Sequence, residues 1–267
     1  MNAVDNVRLI LVPCDFSSLA YHAMEHGAYM SKSMNSRLLI LHVSSREADI
    51  PAMEKKLSFV AEECFDKFDV RPETMVRQGS QPYSVIKAVA KELNPSLVIL
   101  KTGGGVHTVK ILSGTSTPFL VVQGLPNDTA PKTISFPIDF LTRHDEKLRQ
   151  AILFSEYYPH AVMSIITPSG KGTVKERNVA NSLTLTAQVL KEQGINTKFI
   201  THDKKENSSE TILELSKGAD MIVIQMETTS PFRKFLFGLK EEKLIINADK
   251  IPVLCFSREA DFKGISA

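Results

Sequence analysis

The sequence has no tryptophan, only three cysteines, and no apolar run approaching the roughly 18 residues of a membrane span. Charge of either sign is not in excess. With 32 Lys and Arg against 30 Asp and Glu, the formal charge is +2, too little for the broad positive field that binding to a phosphate backbone demands. No nucleic-acid partner is therefore expected. Cys14, Cys64 and Cys255 lie far apart with no C-x-x-C pair, which excludes a disulfide framework and a cysteine zinc site and fits a reducing compartment. The opening segment MNAVDNVRLILVPCDF carries no basic stretch and no small-residue cleavage site. The chain reads as cytoplasmic. Also missing are a G-x-S-x-G elbow, a Walker loop and an H-E-x-x-H pair. No catalytic residue can be named, and no enzyme is expected.

What is present is an ordinary globular composition, 43% apolar and 23% charged over 267 residues, enough chain for two cores. The text of the sequence repeats itself. RLILVPCDFS (8–17) is echoed by KTISFPIDFL (132–141), both apolar segments running into Pro-x-Asp-Phe, so that Asp15 and Asp139 correspond at an offset of 124 residues. SLVIL (96–100) matches DMIVI (220–224) at the same offset, and TPFLVV (117–122) matches IPVLCF (251–256) with ten further residues in the second copy. QGLPNDTAPK (123–132) is rich in turn formers and has little to bury. The reading is a first domain at 1–124, a linker at 125–131 and a second domain at 132–267.

Each copy alternates strand-like and helix-like patterns. LILV (9–12) and LLILHV (38–43) are continuous apolar runs, as in strands covered on both faces. Ala20, Ala23, Met24, Gly27, Met30 and Met34 recur at helical spacing after Ser17 or Ser18, either of which can cap. A long amphipathic helix from Ile50 to Phe68, a short strand at Thr74–Arg77, a helix from Tyr83 to Leu93 stopped by Asn94-Pro95, and strands SLVIL and PFLVV complete the unit. In the second copy ISF, VMSII, TKFI, MIVI and VLCF read as strands, with helices through Leu148 to Ile152, before Gly194, and through Ile212 and Leu215. Strands joined by helices predict an α/β fold: two doubly wound, mostly parallel sheets of five strands each.

An apolar strand ending Pro-x-Asp-Phe-Ser, a second ending His-Val, and a last strand of the form Pro-[apolar]-Leu-Val-Val resemble the universal stress protein family, met twice along the chain. The resemblance implies the adenine nucleotide α-hydrolase-like fold. Many members hold ATP with a loop after the fourth strand reading Gly-x-x-Gly, nine residues, then Gly-Ser or Gly-Thr, and contact the nucleotide through the Asp ending the first strand. It thus implies a vestigial nucleotide site at Asp15, Val43, Thr102, Gly103, Gly104, Gly105 and Asp139.

The loop itself departs from that pattern. Phosphates are held most readily by backbone N–H groups, and glycine lets the backbone come close. The second copy has Gln225 for the first Gly, Thr228 for the second and Gly238-Leu239 for Gly-Ser, with Glu227 adding repulsion. KTGGGVHTVKILSGTSTPFLVV in the first copy aligns in two ways. One keeps Gly104, nine residues and Gly114-Thr115, with Lys101 for the first Gly. The other makes VKIL the last helix and leaves Gly103–Gly105 as the remnant of the loop; it is preferred because it keeps the helix covering the last strand. Losing three charge-assisted hydrogen bonds removes roughly 5 to 9 kcal/mol, against about 8 kcal/mol for a micromolar site. The expectation is a non-catalytic regulatory or interaction protein with no cofactor and without ordinary ATP binding. The alternative is an ATP- or AMP-binding stress sensor whose site survives in the first domain.

Further candidates have plainer readings beside them. Asp15 and Asp139 can instead cap the helices that follow. His22 and His26, four apart, can grip a metal, but no further ligands are in view, so a solvated helix face is expected and no metal. Cys14 is read as a small buried residue at a strand end. In the second copy Ser230-Pro231 opens a stripe of Phe232, Phe235, Leu236 and Leu239, which packs on its own sheet, plugs the old cleft or meets an unidentified protein partner. The apolar edge strands PFLVV and PVLCF need pairing, which predicts an intramolecular pseudo-dimer of the two repeats and leaves room for a homodimer.

Overall fold

The computed structural model describes residues 8–102, 111, 117–125, 131–138, 155, 158, 160–172, 176–204, 207–226 and 243–257. They fall into two compact units, one of the chain up to Pro126 together with Met226 and Cys255–Ser257, the other of Asn127–Gln225 together with 243–254.

In the first unit, Ile10, Leu11 and Val12 are all fully buried in β1 (Leu9–Pro13), as an unbroken apolar run requires when both sheet faces are covered. β1 pairs in parallel with β2 (Arg37–Ser44) on one side and β4 (Leu97–Lys101) on the other. β3 (Glu73–Gln78) adds to β2 and β5 (Phe119–Val122) to β4, giving the order β3-β2-β1-β4-β5. The chain therefore winds outward from β1 in one direction, returns, and continues on the other side. That reversal puts a topological switch point at the carboxyl end of β1, where open α/β sheets leave a crevice.

The connecting helices are α1 (Ser18–Ser33), α2 (Ile50–Phe68) and α3 (Pro82–Leu93). Ser17 caps α1, its Oγ accepting from the Ala20 amide at 3.3 Å. Of the expected stripe, Ala20, Ala23, Met24, Gly27 and Met30 form the buried face, while Met34 is the half-buried residue that caps the helix end. Glycine is needed at position 27, since a Cβ there would lie 2.8 Å from Val12 and 3.0 Å from Leu38; its absence lets α1 settle on β1 and β2. α3 ends at Asn94, in the left-handed conformation (φ 43), before a proline that disfavours continuation.

The second group of elements comprises β6 (Thr133–Pro137), β7 (Val162–Pro168), α4 (Glu176–Glu192), β8 (Thr197–His202), α5 (Ser209–Leu215), β9 (Met221–Met226) and β10 (Val253–Ser257). Its strand order is β10-β9-β6-β7-β8, with β6 parallel to both β7 and β9. The Asp220 carboxylate accepts the amides of Lys132 (2.9 Å) and Thr133 (3.0 Å), fixing the start of β6 beside β9.

Strands and helices expected from periodicity are found, with ends moved by a residue or two; the strand expected at Thr74–Arg77 runs from Glu73 to Gln78. The helix expected through Leu148 to Ile152 lies outside the described residues, as does the helix expected at VKIL (109–112) apart from Ile111. Among the described residues no helix is long and apolar enough to cross a membrane.

Candidate functional site

The crevice at the switch point of the first unit is open. It forms a cleft of about 330 Å³ between the ends of β1 (Pro13), β2 (Leu41 to Val43) and β4 (Leu100, Lys101), with the start of α3 and Ile111 closing it. That volume is at the lower end of the range for small-molecule sites. The elements meet here because in parallel strands every strand-to-helix loop emerges at the same sheet edge.

Asp15 follows β1 and lines this cleft. Its carboxylate is engaged on both oxygens. Oδ1 accepts from the Ser17 amide (3.1 Å) and hydroxyl (2.7 Å), and Oδ2 accepts from Lys101 Nζ at 2.5 Å. Lys101 also donates to Ser17 Oγ at 2.8 Å. The Ser17 hydroxyl thus gives its one proton to Asp15 and receives two donors, Lys101 and the Ala20 amide, which exhausts its capacity. Burial raises the Asp15 pKa, but the hydrogen bonds from Lys101 and Ser17 outweigh it and hold the carboxyl below its ordinary value. Asp15 is therefore not the helix cap, the plainer reading of the sequence; it braces the Ser17 cap instead. Replacing Ser17 by alanine is expected to lower stability by about 1 kcal/mol through loss of the cap, visible as an earlier urea midpoint.

Between Asp15 and Ser17, Phe16 adopts φ 61, a conformation that costs a bulky residue about 1 to 2 kcal/mol. Contacts hold it there. Its ring lies 4.6 Å from that of His42, and Lys56 Nζ sits 4.0 Å from the ring centroid. His42 Nδ1 donates to the Cys14 carbonyl at 2.8 Å, so the imidazole ties β2 to the end of β1. Cys14 is buried as expected, and burial pushes its thiol up from its ordinary pKa, away from the thiolate that a nucleophile needs.

Asp15, Val43 and Lys101 line the cleft together. Thr102 stands beside them, but its amide donates to Val122 O at 3.0 Å and belongs to the sheet. Gly103, Gly104, Gly105 and Asp139 lie outside the described residues, as do Phe232, Phe235, Leu236 and Leu239. Gln81, Pro82, Tyr83 and Ile86 also line the cleft and were not singled out from sequence. Their signal was available: a loop leading from β3 into α3 must emerge at the sheet edge that Asp15 occupies.

The two α1 histidines differ from the solvated pair expected. His26 is only 8% exposed, with Nε2 bonded to Gly124 O at 3.2 Å, and burial lowers its pKa to about 4. No cluster of three or more potential metal ligands occurs among the described residues.

The strand order, the aspartate after β1 and the crevice beside it converge with a comparison of sequence. Residues 6–123 match the universal stress protein family. The fold of nearly the whole chain is shared with solved structures. A universal stress protein from Archaeoglobus fulgidus aligns with TM-score 0.73 at 16% identity, covering 94% of this chain and 96% of that one. A functionally unknown protein from Pseudomonas aeruginosa aligns with TM-score 0.63 at 16% identity, over 97% and 94%. At such identities it is the universal stress protein fold that is common to them. No curated protein matches the sequence.

Proposed function

We propose that the chain is a non-catalytic regulatory or interaction protein made of two universal stress protein-like domains in tandem, and that it has lost the family's ordinary grip on ATP. The like strand orders of its two groups of elements support the tandem reading. The observation that carries the loss of ATP binding is Lys101. It ends β4, the strand after which the family loop begins, and its ammonium is fastened to Asp15, the residue through which the resemblance implies nucleotide contact. A side chain in that place keeps a phosphate from approaching the backbone, and its charge is already neutralised. In the second copy Gln225 has the corresponding place.

Millimolar ATP is expected to leave the melting temperature unchanged. A ligand at 100 times its Kd adds about 2.7 kcal/mol to stability, which a thermal scan detects easily. A clear upward shift with ATP overturns the proposal.

One observation favours a second reading, a nucleotide sensor surviving in the first domain: the 330 Å³ cleft is already formed, and Asp15 and Val43 line it. Stabilisation by ATP or AMP selects this reading, and no shift with either removes it.

A further inference from the structure

We infer that Asp15 serves as the resident counter-ion of Lys101, masking an anion receptor at the mouth of the first-unit cleft, so that the unaltered cleft holds an uncharged small molecule more tightly than its phosphorylated counterpart. This rests on the second reading above, in which the cleft is the ligand site of the first domain.

The arrangement is specific. Lys101 is the more enclosed partner, its side chain 24% exposed against 55% for Asp15. A partly buried ammonium needs compensation, and Asp15 Oδ2 (2.5 Å) and Ser17 Oγ (2.8 Å) supply it from within the chain. Among the described lining residues these two carry the only formal charges, and they cancel. Lys56, a cation on α2, is turned onto the Phe16 ring. His42 Nδ1 is held by the Cys14 carbonyl. The walls, Leu41, Val43, Ile86, Leu100 and Ile111 among them, are apolar. An incoming anion must therefore displace the Asp15 carboxylate from Lys101 or endure its repulsion beside apolar walls, where charge interactions are stronger than in bulk water. An uncharged, largely apolar ring compound meets neither obstacle.

The consequence is opposite to that of an aspartate that touches ligand. Asp15→Asn keeps the side-chain shape and an oxygen for the Ser17 amide, removes the negative charge, and frees Lys101 for an outside anion. Thermal scans and calorimetric titrations with inorganic phosphate, AMP and adenosine test this on the full chain. In D15N, AMP affinity is expected to rise by about tenfold or more over the unaltered protein, the effect of removing one close like charge. Phosphate alone should raise the melting temperature of D15N and leave that of the unaltered protein unmoved. The readout is the ratio of AMP to adenosine affinity, which should rise in D15N whatever the change in adenosine binding itself. Weaker or unchanged AMP binding in D15N, with phosphate inert, overturns the inference.

Lys101→Met tests the same idea from the other side. It leaves Asp15 unbalanced, so the ratio of AMP to adenosine affinity should fall below that of the unaltered protein; a ratio undiminished in K101M overturns the inference even should D15N fail to fold. If adenosine and AMP both leave the unaltered protein unstabilised, the sensor reading falls separately, and the phosphate response of D15N still decides the role of Asp15.

Discussion

Phe136→Ala is expected to destabilise the second unit by about 3 to 5 kcal/mol, the usual cost of emptying a fully enclosed aromatic site. Phe136 is 2% exposed and stands in the interior of β6, opposite Ile165 of β7. β6 has strands on both sides, so the neighbours cannot collapse into the void without bending the sheet. Calorimetry should show a melting transition lowered by about 10 °C. If the two units melt separately, the transition of the first should stay in place, which also checks the division of the chain. Val189→Ala, at a site 38% exposed on α4, should move nothing by more than about 0.5 kcal/mol. A mild Phe136→Ala phenotype would mean that β6 is not the core strand described.

Stability of the first unit is expected to fall as pH drops from about 7 towards 4, and His26 is the reason. Burial holds its folded pKa near 4, against the opposing pull of the Gly124 carbonyl and Glu25. The unfolded side chain titrates near 6.5. Between these values the unfolded chain binds more protons, so acid favours unfolding and stability rises with pH across the window. The full difference corresponds to about 3 kcal/mol. His26→Gln keeps a donor for Gly124 O and removes the titration. Urea midpoints measured from pH 4 to 7 should therefore slope less in the variant. Equal slopes would assign the acid sensitivity to other groups.

Most of the strand and helix positions were legible because their signals are local. The unbroken LILV run, the stripe from Ala20 to Met30, and Asn94-Pro95 each report on a few adjoining residues. The crevice was legible in part: Asp15 was marked by its place at the end of β1, and Lys101 by following SLVIL, the strand after which the family loop begins. What joins them was not legible, since the two residues are 86 positions apart in sequence and no pattern at one announces the other. The same holds for His26, whose partner Gly124 is 98 positions away; with that carbonyl out of view, a histidine four residues from another looks like a wet helix face. Phe16 carried no turn signal, because its left-handed backbone is maintained by a ring and an ammonium from β2 and α2 rather than by its own preference.

The placement of β1 between β2 and β4 also sets a schedule for synthesis. Leu9 O accepts the hydroxyl of Ser96, 87 residues later, and β4 closes the open side of β1. At ribosomal speeds that interval lasts on the order of ten seconds. During it, the nascent LILV segment has one unpaired flank along an unbroken apolar run, and the newborn chain is then most exposed to capture by chaperones or by another copy still on its ribosome.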